Sequence, residues 1–265
     1  MSQQVQTAFG VPVNPNIRLH FWDMGTAAYA EIAKIFHKGE EYANEDVVWA
    51  AWLQICIVYF PSWTANPTGP RWAIERESYR GPPPLDPSQI KPDILAIKLT
   101  PGPPQLGQPP QFNARDFLWI ECKAPKHDKP FGWKDALNEA TQRLQHAHPG
   151  REVFLLIAIG LKCMFCVWDP INFIQQQPRL FVRSADNKID WPIDPRIKPF
   201  LVADWVDRIT GQIRTTLGMS LDCWSEEQVP GGQSYLRNWR NLGRIEETLV
   251  AIQNIALQGF NPAEF

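Results

Sequence analysis

Apolar positions fall into stretches of two periods, and the periods alternate along the chain. Over 23–38, Ala27, Ala28, Ile32, Ile35 and Phe36 recur at helical spacing, and Gly39 follows as a stop. Asn44 then predicts an N-cap, with Glu45 and Asp46 in a first turn where the helix dipole favours acids. The apolar run from Val47 carries this second helix to Phe60, before Pro61. Three strand-like stretches come next, at 71–79, 91–100 and 116–124, joined by connections rich in proline and without helical period. They predict an antiparallel meander.

Helical period returns over 133–147, where Trp133, Ala136, Leu137, Ala140, Leu144 and Ala147 share one face. The unbroken apolar run 153–160 reads as a central strand covered on both faces. Gly160 and Leu161 would turn it into a hairpin partner, "KCMFCVWD". Beyond this, the spacing predicts helices over 196–217 and 234–258. The first rests on Ile197, Phe200, Leu201, Trp205, Ile209, Ile213 and Leu217, the second on Leu236, Trp239, Leu242, Ile245, Leu249 and Ile252. The expected organisation is an α/β core over 1–170 and a mainly helical region over 171–265 packed on it.

Composition narrows the classes. At 265 residues with 44% hydrophobic content, the chain can bury a sizeable core. A formal net charge of −2 excludes a generic polycation, though not a local basic patch. Five cysteines, an odd and scattered set, fit a reducing compartment. Cys163 and Cys166 form a CxxC, but on a strand residues i and i+3 face opposite sides, so they read as buried thiols. No basic start followed by an apolar core opens the chain, and no run is long enough to span a membrane. An intracellular protein, cytoplasmic or nuclear, is expected.

The chemistry concentrates in "DFLWIECKAP", 116–125. Glu121 and Lys123 close an apolar strand on one shared face, where burial of a charge is costly. The preceding strand opens on Pro92-Asp93. "PD" followed by "ECK" at successive strand ends, with a helix before and a helix after, resembles the PD-(D/E)XK, or restriction-endonuclease-like, superfamily of nucleases. The likeness covers about 40–168 in element order. It implies a metal-dependent phosphodiesterase acting on nucleic acid, with DNA the expected substrate.

Asp93 and Glu121 would jointly hold Mg²⁺ or Mn²⁺, with the backbone carbonyl of Cys122 as a further oxygen ligand. Lys123 would orient or deprotonate the attacking water. The resemblance also implies an acid on the first core helix, for which Glu45 is the choice and Glu77 the rival. It implies a glutamine on the helix after the lysine, for which Gln142 and Gln145 compete. His146 stands where such motifs commonly carry tyrosine. His20, His37, His127 and His148 show no metal-ligand spacing. Lys126, Lys129 and Lys134 beside the site, and Arg237, Arg240 and Arg244 on the last helix, are the expected phosphate contacts. Both proline-rich connections are expected to border the substrate cleft.

Two alternatives of other classes stand beside this. One is a catalytically inactive nuclease-like module binding nucleic acid or a protein partner. The other is a helical interaction protein that dimerises through its C-terminal helices.

Overall fold

The computed structural model describes residues 19–63, 71–78, 91–103, 109, 111–172, 179–201, 204–228 and 234–258. The proline-rich connection at 79–90 lies outside them, as does most of the one after residue 103.

Two helices come first, α1 (Ala27–Lys38) and α2 (Asp46–Tyr59). Thr26 caps α1 by accepting a hydrogen bond from the Tyr29 N–H at 3.0 Å. Gly39 ends it at φ 77°, its N–H reaching the Ile35 carbonyl. The cap of α2 is Glu45 rather than Asn44, one residue later than expected, and its side chain makes no capping bond.

Strands β1 (Arg71–Arg76), β2 (Ile94–Pro101) and β3 (Phe112–Lys123) form the expected antiparallel meander. Helix α3 (Pro130–Ala147) then crosses over, so that β4 (Val153–Ile159) runs parallel to β3. β5 (Lys162–Trp168) returns antiparallel through the two-residue turn at Gly160-Leu161. Gly160 takes φ 56°, and a Cβ there would sit 3.1 Å from the Cα of Pro125. The order across the sheet is β1-β2-β3-β4-β5, with short strands Ile197–Pro199 and Met219–Ser220 both pairing with β5. Among the described residues, the mixed sheet and four α-helices make an α/β fold.

Alternation divides the core. On one face of the sheet, Ile94, Leu118, Ile120, Cys122, Leu156 and Phe165 pack with α1, α2 and the last helix, α4 (Trp239–Gln258). On the other, Leu95, Trp119, Leu155, Ile157 and Trp168 pack against Trp133, Leu137 and Leu144 of α3. Every residue of β4 is buried, as a strand covered on both faces requires. Cys163 and Cys166 are free thiols in opposite clusters, as the CxxC reading held.

The mainly helical C-terminal region is corrected. No helix forms over the described part of 196–217, which holds strands Ile197–Pro199 and Gln212–Ile213 and a 3₁₀ turn, Thr215–Leu217. Of the supposed stripe, Ile197, Trp205 and Ile213 are buried, but Leu201, Ile209 and Leu217 point out, Ile209 being 90% exposed. Local chemistry explains this. Pro199 cannot sit inside a helix. The Asp207 carboxylate accepts from the N–H groups of Ile209 and Thr210, which makes a turn in competition with helix. Gly211 adopts φ 80°.

The last helix begins at Trp239, because 234–236 pairs as a strand with Glu226–Gln228. Its Leu242, Ile245, Leu249 and Ile252 are fully buried in this chain's own core. The stripe assigned to a dimer seam is therefore already filled.

A buried polar clasp ties the chain together. Glu246 on α4 receives the Tyr59 hydroxyl at 2.6 Å, and His20 Nδ1 lies 2.7 Å from the same carboxylate oxygen. Among the described residues no helix is long and apolar enough to cross a membrane.

Candidate active site

The register of β2 and β3 builds the site. Ile94 faces Ile120, and the Asp93 N–H donates to the Ile120 carbonyl at 3.1 Å. One step outward, Asp93 comes opposite Glu121, and opposed residues in an antiparallel pair share a face. Glu121 and Lys123 lie on the α3 side with Trp119. Asp93 reaches across to accept the Cys122 N–H at 2.5 Å. "PD" and "ExK" thus meet at one end of the sheet, as expected.

Glu121 is wholly buried. One oxygen receives Trp119 Nε1 at 2.6 Å and the other the Arg143 guanidinium. Arg143 also donates to Glu139, whose second oxygen takes Lys123 Nζ at 2.5 Å. Burial pushes the Glu121 carboxyl up to about 8, with the Asp93 charge adding to it and Arg143 opposing. Burial likewise raises Asp93 to about 6; the Cys122 N–H opposes this and Glu45 adds to it. Two neighbouring acids are thus short of positive charge, despite Arg143.

Lys123 behaves differently from the expectation of a base. Burial pulls its ammonium down, but the hydrogen bond and charge of Glu139 outweigh this and hold it above the usual lysine range. It stays protonated, a state that suits charge and hydrogen-bond donation to the water better than proton abstraction.

The other expected residues divide. Glu45, exposed at the N-terminus of α2, acts on Asp93, Cys122 and Arg143 and lines a cavity of ≈ 500 Å³ with Trp49, Ala124 and His127. Glu77 lies just past β1 at φ 48°, paired with Arg76 at 3.5 Å. Gln145 accepts from Arg196 at 3.0 Å, outside this group, and Gln142 is exposed. The place expected for a glutamine is taken by Glu139 and Arg143, four apart on α3. Sequence reasoning missed both. The spacing carries only a partial signal: an i,i+4 acid–base pair on α3, whose direction toward Glu121 and Lys123 depends on how the helix docks.

Lys126 and Lys129 are exposed beside the site, Lys129 4.0 Å from Glu41. Lys134 lies over the Phe131 ring and near Asp135. The arginines do not form one helical patch. Arg237 precedes α4 and borders a cleft of ≈ 670 Å³ with Pro125, Asp128 and Lys162. Arg240 lies over Trp239, and Arg244 is bound to Asp204.

The expectation for the second proline-rich connection, 101–110, is corrected at its described ends. Its described ends, Pro101 and Phe112, close β2 and β3 at the end opposite to Asp93 and Glu121, about 25 Å along the strands at roughly 3.3 Å per residue.

The raised carboxyls set a pH dependence. The unfolded chain gives up these protons near pH 4, while the folded chain keeps them to about 6 and about 8. Folded protein therefore binds more protons between those limits, and metal-free stability falls as pH rises. Below pH 4 this contribution is fully present, and above pH 8 it is lost. The loss is on the order of 3 kcal/mol for Asp93 and 5 kcal/mol for Glu121, at about 1.36 kcal/mol per unit. Melting in EDTA across this range should show it in wild type, and in Asp93→Asn a smaller fall that keeps the part burial gives Glu121.

Among the described residues no group of three His, Cys, Asp or Glu side chains stands close enough to hold a metal ion. Any ion would rest on the Asp93–Glu121 pair and a backbone oxygen. Compared with protein-family models, with curated proteins and with solved structures, the chain matches none.

Proposed function

We propose that the chain is a metal-dependent nuclease of the PD-(D/E)XK type, hydrolysing phosphodiester bonds in nucleic acid, with DNA the expected substrate. The observation that carries this reading is the meeting of Asp93, Glu121 and Lys123 on one face at adjacent strand ends, with Glu45 acting on Asp93 from α2. Two raised, neighbouring carboxyls fit a hard cation, because it would supply the charge they lack. Asp93, Glu121 and the carbonyl of Cys122 would hold Mg²⁺ or Mn²⁺. When bound, the ion supplies Lewis-acid polarisation of the phosphate and a lowered pKa for the attacking water.

The chain's own residues do the rest. Lys123 Nζ donates a hydrogen bond toward the attacking water or the phosphate, and its charge offsets the charge that develops there. Glu139 fixes the direction of that ammonium. Trp119 fixes the Glu121 carboxylate and closes its inner side to water. Lys126 and Lys129 offer charge to flanking phosphates, an attraction that weakens with salt.

The runner-up is the inactive binding module, and one observation favours it: Arg143 already pairs with Glu121, as in a site that has exchanged its metal for a guanidinium. Incubating plasmid and labelled oligonucleotides with Mg²⁺ or Mn²⁺ separates the two. Cleavage abolished by EDTA supports the nuclease; salt-sensitive binding without cleavage in either metal supports the module.

A further inference from the structure

We infer that Arg143 is a cation lock on the proposed metal site: its guanidinium holds the Glu121 oxygen that a divalent ion needs, and ion and arginine exclude one another there. The inference rests on the metal-dependent reading above.

The argument is one of like charges crowding a single buried carboxylate. Both Glu121 oxygens are engaged, one by Trp119 Nε1 at 2.6 Å and one by Arg143. Each oxygen keeps a second lone pair, but a divalent ion on the Arg143-held oxygen would lie against a guanidinium of like charge, and the buried indole closes the other side. Trp119 cannot yield, because it is fully buried between β3 and α3 and its indole N–H would be left without a partner. Arg143 can. Its side chain keeps 16% of its exposure, and Glu139 holds a second prong of the same guanidinium. On leaving Glu121 it stays paired, so release costs one charged hydrogen bond rather than two.

Glu139 joins this lock to the lysine. Its two oxygens hold Arg143 and Lys123 at once, and each cation competes with the other for the same carboxylate. When Arg143 retreats onto Glu139, that competition sharpens and Lys123 is freed toward the phosphate. Metal entry at Glu121 and release of Lys123 are therefore linked through one acid. Trp119 and Glu139 position Glu121, Arg143 and Lys123; they touch no reacting atom.

Titration calorimetry with Mn²⁺ alone, on the full chain without nucleic acid, tests this. Arg143→Met keeps the aliphatic stem and removes the charge. It should bind Mn²⁺ about 10- to 100-fold more tightly than wild type, the value of one charge-assisted hydrogen bond. Arg143→Lys should fall between the two. Glu139→Gln, which takes away the seat onto which Arg143 retreats, should weaken Mn²⁺ binding. Because Arg143→Met leaves Glu121 buried and uncompensated, its melting temperature should fall in EDTA and recover in Mn²⁺, which shows that the variant still folds. A merely structural arginine would leave Mn²⁺ affinity unchanged or lower it, and either result overturns the lock. If Arg143→Met and wild type bind equally and Asp93→Asn abolishes both, the lock fails while the metal site stands. If no variant binds Mn²⁺, the metal-dependent reading fails and takes the lock with it.

Discussion

Asp93→Asn should reduce Mg²⁺-dependent cleavage by at least about 10³-fold, the scale of several kcal/mol of lost Lewis-acid stabilisation. It should do so in a chain that melts higher than wild type in EDTA at pH 8. The two effects have one cause. Asparagine still accepts the Cys122 N–H, so the 2.5 Å contact has a successor. What disappears is a charge facing Glu121, and with it both the cation's ligand and the repulsion that burial magnifies. Glu121→Gln should abolish cleavage equally but lower the melting temperature. Its amide oxygen can face Trp119 or Arg143, but its NH₂ then points at the other donor. Plasmid nicking and thermal melting on the same preparations check all of this. Wild-type cleavage by both variants would place the chemistry elsewhere.

Lys123→Met should lower cleavage by about 10²–10³-fold, the usual value of a preorganised donor at developing charge. Its effect on binding is small by comparison: one fewer phosphate contact, seen as a fall of about one in the slope of log affinity against log salt. Lys123→Arg should recover the slope but only part of the rate. A guanidinium presents a wider planar fork than an ammonium, and the Glu139 oxygen it would need for a two-pronged grip is held by Arg143. Single-turnover cleavage and fluorescence binding over a salt series separate the two readouts. Equal loss of rate and affinity in Lys123→Met would make the lysine a phosphate anchor and nothing more.

Much of this site was legible because it is local. Glu121 and Lys123 share a face by the period of a strand, and Asp93 lies opposite once the meander is recognised. Gly39 and Gly160 mark a helix end and a tight turn for steric reasons that survive any context. Glu139 and Arg143 were not legible in the same way. On the helical wheel they are ordinary polar positions, and only the docking of α3 on β3 turns them toward the carboxylates. The false helix over 196–217 failed for the opposite reason. Its spacing of four fits a helix, but an eight-residue spacing puts Ile197, Trp205 and Ile213 inwards in separate short pieces, with Asp207 making a turn between them. Exposed arginines on the last helix looked like a patch because a sequence does not show which of them, like Arg244, is already paired.

The clasp of His20, Tyr59 and Glu246 bears on how the protein can be dissected. Every residue assigned to the site lies between Glu45 and Arg143, which invites expression of that stretch as a minimal catalytic fragment. The clasp argues against it. Cutting ahead of Ala27 removes the ring on Glu246, and stopping after Trp168 removes Glu246 and strips the α2 side of the sheet of Leu242, Ile245, Leu249 and Ile252. Each such side chain contributes about 1.5–3 kcal/mol on burial, so their joint loss is comparable to the whole stability of a domain, about 5–15 kcal/mol. Truncation mapping would then read as loss of activity from either end, and would assign to both ends a chemistry that neither performs.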